Sequence, residues 1–206
     1  MLEEEKKYRE EGFSLIVGVD EAGRGPLAGP VCAAACLLPV DFENEDINDS
    51  KQLTEKKREK LFPLIKEKAL AYGIAFASAE EIDKFNIYEA TKMAMRRAIE
   101  QIKVPYDLIL TDAMPLKGFE KPVVPIIKGD AKAENIAAAS ILAKVTRDHF
   151  MMELDKEYPQ YGFKKHKGYG TKEHLLALEK YGPIEGIHRK SFAPVAKFYK
   201  IQVPLF

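Results

Sequence analysis

The sequence predicts an α/β fold: a mixed β-sheet flanked by helices, with a small helical appendage at its C-terminal end. Three observations lead there. Short apolar runs of strand length recur along the chain and alternate with longer segments of helical periodicity. The early strands follow one another as in an antiparallel meander, whereas the later ones alternate with helices as in parallel additions. The chain has 206 residues and 46% hydrophobic content, which suits a single domain with a real core.

The elements follow in order. Residues 1–10 are charged, lack the apolar centre of a secretory signal and read as a short helix. Residues 15–19 and 31–38 are apolar strands joined by a glycine-rich turn. A polar loop over 41–50 leads to a charged helix from Thr54, a fair N-cap, to about Lys68. Residues 71–79 read as a third strand, 79–86 as an acid-rich turn and 87–102 as a helix. Strands follow at 106–111 and 123–127, ending on Asp112 and Gly129-Asp130. Residues 133–154 form a long helix whose Ala137-Ala-Ala-Ser140 permits close packing. A helix near 172–180 and a proline-containing tail complete the chain.

Composition excludes several classes. No apolar run approaches membrane-spanning length, so a soluble, cytoplasmic protein is expected. Cys32 and Cys36 face the same side of one strand, too far apart along it to bridge, so both belong to the core. The four histidines, His149, His166, His174 and His188, have no zinc-site spacing. Net charge is zero but unevenly spread. Residues 1–127 hold 18 Lys+Arg against 23 Asp+Glu, and residues 128–206 hold 14 against 9. The basic C-terminal third suits a polyanion, although such charges also solvate a surface.

The segment Gly18-Val-Asp-Glu-Ala-Gly-Arg-Gly-Pro-Leu-Ala-Gly-Pro30 carries the most chemistry. Asp20 and Glu21 are adjacent acids in an apolar setting, where they repel each other and resist desolvation. Such a pair suits a hard divalent metal. The glycines that follow let backbone N–H groups approach a ligand. Asp112 and Asp130 lie at two further strand ends, where ligands gather in open α/β sheets. Four converging carboxylates would hold two divalent ions, about 4 Å apart, for phosphodiester hydrolysis. Plainer roles also fit. Asp112 suits a turn before Met114-Pro115, and Asp130 suits the cap of the helix that follows.

The 18–30 segment closely resembles the first motif of bacterial ribonuclease HII, of the type 2 ribonuclease H family. Further matches come in that family's order. They are Asn48-Asp-Ser-Lys-Gln-Leu53, Leu110-Thr-Asp112, Lys128-Gly-Asp-Ala-Lys132, the helix from Ile136 to Asp148, His166-Lys-Gly-Tyr-Gly-Thr171 and His188-Arg-Lys-Ser-Phe192. The resemblance covers about residues 14–195. It implies an RNase H-like fold and an endonuclease that cuts the RNA strand of RNA·DNA hybrids. It also implies cutting 5′ of single ribonucleotides in duplex DNA, leaving 3′-hydroxyl and 5′-phosphate ends.

By the same resemblance, Asp20, Glu21, Asp112 and Asp130 are the catalytic carboxylates, holding two Mn2+ or Mg2+ ions. Gly23, Arg24 and Gly25 would contact the ribose 2′-hydroxyl, the group that separates RNA from DNA. Tyr169 would sense the ribo–deoxyribo junction, and Lys51 would approach a phosphate. Residues 1–157 would form the catalytic domain and 158–206 a helical segment adding substrate contacts. Lys164-Lys-His-Lys167 and His188-Arg-Lys190, with Tyr161 and Phe163, suit contacts to the duplex backbone. Gln202, Leu205 and Phe206 resemble the Gln-x-x-Leu-Phe peptide that docks on the bacterial sliding clamp. A tail that folds back on its own core is the alternative. The family resemblance implies a monomer.

Competing expectations differ in their demands. Ribonuclease HIII carries an extra N-terminal domain, whereas about fourteen residues precede the first strand here, and its last motif acid is a glutamate. A non-catalytic hybrid-binding module would not need four acids. A DNA nuclease of related fold would not need the 2′-hydroxyl.

Overall fold

The computed structural model describes residues 3–48 and 50–199. A short helix α1 (Glu3–Glu10) leads into β1 (Ile16–Ala22) and β2 (Val31–Leu37). Helix α2 (Glu55–Lys68) is followed by β3 (Ala71–Ala77), α3 (Ala79–Ile99), β4 (Leu108–Asp112) and β5 (Val123–Ile126). The long α4 (Glu134–Glu157) precedes the short α5 (Phe163–His166), α6 (Lys172–Tyr181) and α7 (Ala193–Ala196). The strands form one sheet in the order β3-β2-β1-β4-β5. β1–β2 and β2–β3 are antiparallel, and β1–β4 and β4–β5 are parallel. The expected meander with parallel additions is therefore what forms.

Strand alternation sorts the core into two faces. Val17, Val19, Val31, Ala33 and Ala35 pack under α3, with Ala94, Met95 and Ala98. Cys32, Ala34 and Cys36 face the other way, against Leu61 and Ile65 of α2 and Ala137–Ala139 of α4. Both cysteines are free and buried on that one side. Helix α4 lies unusually close to the central strand because Gly18 has no side chain. A Cβ there would stand 2.1 Å from the carbonyl carbon of Asn135.

Two boundaries differ from the sequence expectation. Helix α3 starts at Ala79, where Ser78 and Glu81 form a reciprocal capping box. The acid-rich stretch is therefore helical, and the chain kinks at Asn86, whose φ +67° and ψ 164° are non-helical and whose Oδ1 accepts from the Glu89 N–H at 3.0 Å as the second helical stretch begins. Helix α4 has no side-chain cap of its own. Instead the Glu5 carboxylate, reaching over from α1, accepts from the backbone N–H of Asn135 at 3.0 Å. Asp130 sits one turn earlier, in a separate 3-10 segment Gly129–Ala131, and does not cap α4.

No helix among the described residues is long and apolar enough to cross a membrane.

Candidate active site

The carboxylates converge because of register. Val19 of β1 pairs with Thr111 of β4 in parallel, so the next residues along, Asp20 and Asp112, come side by side on the two central strands. The tight turn after β5 carries Asp130 to the same place. Lys128 there adopts a left-handed φ of +56°, and the Gly129 N–H donates to Asp112 Oδ1 at 2.8 Å. One carboxylate oxygen from each of Asp20, Asp112 and Asp130 lies within 4.8 Å of the others. Glu21 lines the same cleft, of about 200 Å³, together with Lys51, Lys144 and Tyr169. Its Oε1 lies 3.4 Å from Arg24 Nη1. Lys51 Nζ stands 3.3 Å from Asp130 Oδ2.

The electrostatics of this cluster are unfavourable as it stands. Asp20 is 2% exposed, and its Oδ1 accepts from the adjacent Glu21 N–H at 2.7 Å. Asp20 Oδ2 and Glu21 Oε2 are buried with no hydrogen-bond partner among the described residues. Burial holds the Asp20 carboxyl well above the usual carboxylate range, and the charges of Glu21 and Asp112 push it further. Burial also raises Glu21, against the opposing pull of Arg24. A buried, unpaired carboxylate oxygen is costly. An all-oxygen set of this kind is a good host for a hard divalent cation, which would occupy those lone pairs and offset the mutual repulsion.

The glycine-rich turn forms the cleft's other wall and is braced from beneath. Gly23 has φ +96°, and a Cβ on it would stand 1.9 Å from Arg147 Nε. Only glycine fits there. Two buried arginines hold the surrounding carbonyls. Arg189 donates to Gly29 O at 2.9 Å, Arg24 O at 2.8 Å and Gly23 O at 2.6 Å. Arg147 donates to Pro30 O at 2.9 Å, Lys167 O at 3.0 Å and Ala28 O at 3.1 Å. Tyr169 lies across the turn: a Cβ built on Gly25 would be 3.5 Å from its Cε1. The ring is 44% exposed.

This arrangement corrects one sequence expectation. Arg189, His166, His188, Tyr161 and Phe163 are all buried, so they do not form a surface for the duplex. Lys164 and Lys165 remain exposed. The basic residues in these motifs divide between surface and scaffold according to whether the backbone carbonyls of the glycine turn need donors. Arg147 was missed as a site residue, and Arg189 was read as a contact to the duplex backbone rather than as a brace of the turn. The sequence offers a weak clue to Arg147, since it lies three residues after Lys144 on one α4 face. It offers none to Arg189, whose carbonyl partners are about 160 residues away.

An RNase H-like sheet with acids gathered at the ends of its central strands, beside a glycine turn, defines the molecule as a nuclease of the ribonuclease H type. The profile of the family described as Ribonuclease HII matches residues 17–195. A ribonuclease HII from Desulfitobacterium hafniense (strain DSM 10664 / DCB-2) is 57% identical over 195 residues, 95% of this chain and 75% of the relative. The chain belongs to the ribonuclease HII family and is an endoribonuclease acting on RNA in hybrids. Among solved structures, the ribonuclease H2 from Pyrococcus horikoshii OT3 superposes with a TM-score of 0.77 at 27% identity, covering 90% of this chain and 97% of that one. The RNase HII in the PCNA:RNase HII complex from Archaeoglobus fulgidus shares the fold, with a TM-score of 0.71 at 23% identity over 84% of this chain and 93% of that one.

Proposed function

We propose that Asp20, Glu21, Asp112 and Asp130 carry the hydrolysis and that Mg2+ or Mn2+, as two ions, is held by them. The observation that carries this reading is the convergence of Asp20, Asp112 and Asp130 beside Glu21, with Asp20 Oδ2 and Glu21 Oε2 buried and without a hydrogen-bond partner among the described residues. When bound, the cations supply activation of a water and neutralisation of charge on the scissile phosphate. The chain's own residues do the rest. The backbone of Gly23, Arg24 and Gly25 faces the ribose 2′-hydroxyl, and rigid support from Arg147 and Arg189 keeps that contact in place. Tyr169 lays its ring against the deoxyribose that follows the ribonucleotide. Lys51, paired with Asp130 at the cleft rim, meets a neighbouring phosphate. Cutting then falls 5′ of the ribonucleotide, with 3′-hydroxyl and 5′-phosphate products.

In this reading residues 1–157 form the catalytic unit and 158–206 a segment that adds substrate contacts to it, in a cytoplasmic monomer. Gln202, Leu205 and Phe206 lie outside the described residues, so their support is the pentapeptide itself and the clamp-bound state of the Archaeoglobus relative. Deleting 202–206 is expected to leave cleavage of free substrate intact and to abolish binding to a bacterial clamp. Unchanged clamp affinity sinks that part.

The deciding assay uses an end-labelled DNA duplex with one ribonucleotide, in Mg2+ or Mn2+, beside an Asp130→Asn variant and an all-deoxy duplex. A single cut 5′ of the ribonucleotide, lost in the variant and in the all-deoxy duplex, is the expected result. Cutting of the all-deoxy duplex, or full activity of the variant, defeats the assignment.

A further inference from the structure

Three of the four histidines lie buried together in the C-terminal segment, outside the carboxylate cluster. His174 is 0% exposed, His188 1% and His166 7%, around the buried ring of Phe163. Their partners fix every tautomer. The Ile184 N–H donates to His188 Nδ1 at 2.8 Å, so the proton of His188 is on Nε2. That nitrogen lies 3.1 Å from His174 Nε2, which must therefore accept. The proton of His174 is then on Nδ1 and is donated to the carbonyl oxygen of Tyr169, 2.9 Å away. His166 completes the frame. Its Nδ1 accepts from the Gly168 N–H at 3.2 Å, and its Nε2 donates to Tyr161 O at 2.7 Å. Its own carbonyl accepts from the Tyr169 N–H at 2.9 Å. The rings of His166 and His174 stack at 4.5 Å.

The backbone of Tyr169 is thus gripped on both sides, its carbonyl by His174 and by the Thr171 N–H at 2.8 Å, and its N–H by the His166 carbonyl. The preceding Gly168 carbonyl accepts from Leu27 N–H at 2.8 Å, joining this frame to the glycine-rich turn. An apolar side chain would fill the same space. Only imidazole places an acceptor and a donor on opposite ring edges and so carries a directed bond from Ile184 through two rings to Tyr169.

We infer that His174, held by His188, is a positioning residue that fixes Tyr169 against the Gly25 turn and thereby sets the enzyme's preference for a ribonucleotide followed by DNA. The inference rests on the reading that Tyr169 meets the nucleotide sugar. The test measures kcat/KM, on the full chain with Mg2+, for a duplex bearing one ribonucleotide and for a uniform RNA·DNA hybrid. The variants are Tyr169→Ala, His174→Leu, His174→Asn and the double variant Tyr169→Ala/His174→Leu. His174→Leu is expected to lower the ratio of the two kcat/KM values roughly tenfold or more, the scale on which misplaced groups cost rate. His174→Asn, whose amide N–H can still reach Tyr169 O, is expected to restore most of it. In the Tyr169→Ala background His174→Leu is expected to add nothing to the ratio.

Equal loss on both substrates, failure of Asn to rescue, or an effect that persists without the tyrosine ring would show packing alone and overturn the inference. An unchanged ratio in Tyr169→Ala overturns the reading of Tyr169 beneath it. Should His174→Leu not fold, His188→Leu, which removes the donor to His174 Nε2, carries the same expectation.

Discussion

Two buried polar regions meet at the cleft, and they are built on opposite principles. In the carboxylate cluster, like charges crowd together and two oxygens, on Asp20 and Glu21, go unpaired. In the scaffold beneath the glycine turn, Arg147, Arg189, His166, His174 and His188 each have a partner for every side-chain nitrogen. Both regions are desolvated to a similar degree. Burial of polar groups is therefore not what separates site from scaffold here; satisfaction is. The acids are left with unmet interactions that a ligand can complete, while the cations and imidazoles spend theirs on holding backbone carbonyls still.

The largest effect expected from this contrast is at Asp20. Asp20→Asn removes a ligand oxygen and one of the repelling charges at once. Cleavage should fall by about 1,000-fold or more, about 4 kcal/mol of transition-state stabilisation. The metal-free protein should at the same time melt higher than the parent in EDTA. A variant that loses both activity and stability would place Asp20 with the satisfied scaffold and break the contrast.

The second effect is on the scaffold side. Arg189→Met strips three buried carbonyls of their donor, on Gly23, Arg24 and Gly29. Unsatisfied buried acceptors cost roughly 1–3 kcal/mol each before relaxation, so a loss of about 3–5 kcal/mol is expected. Urea unfolding reads it directly. A loss below about 1 kcal/mol would mean that the turn finds other donors.

The smallest effect separates the two regions by sign. His174 is held down to about 4 and His188 to about 3, from 6.5, chiefly by burial. The unfolded chain takes up protons below pH 6.5 that these folded imidazoles refuse. Their contribution is therefore full above pH 6.5 and lost as pH falls from there towards 4 and below, a loss that raised carboxyls offset. The carboxyls run the other way. Asp20 in the cluster is raised, and Glu134, outside it at the start of α4, is raised to about 7, both chiefly by burial, so the fold takes up their protons first and gains stability in the same descent. Nitrogen-15 NMR at pH 5 should find His174 and His188 still neutral, and carboxyl carbon-13 NMR should find Glu134 protonated. Imidazolium signals for the histidines at that pH would contradict the satisfied scaffold.

How legible all this was from sequence differs by element. The strand alternation around Cys32 and Cys36 was legible because a two-residue period sorts side chains by face wherever the strand goes. The helix placed from residue 87 does begin there, behind the kink at Asn86, but the acid-rich stretch before it read as a turn although Ser78 and Glu81 cap it as a helix. Arg189 and His188 read as surface charge, since nothing local reveals that each has a backbone partner waiting inside.

The sequence by itself determined the fold class and the order of strands and helices, and its motifs, through the family they resemble, singled out four candidate acids. The first two depend on local periodicity, and the last on ordered runs of residue types. Only the tertiary structure decided that Asp20, Asp112 and Asp130 share one cleft, that Glu5 caps α4, and that Arg147, Arg189 and the histidines are the frame of the glycine turn. Those outcomes depend on which distant backbone carbonyls and amides end up without water, and that is a property of the packed chain rather than of any segment of it.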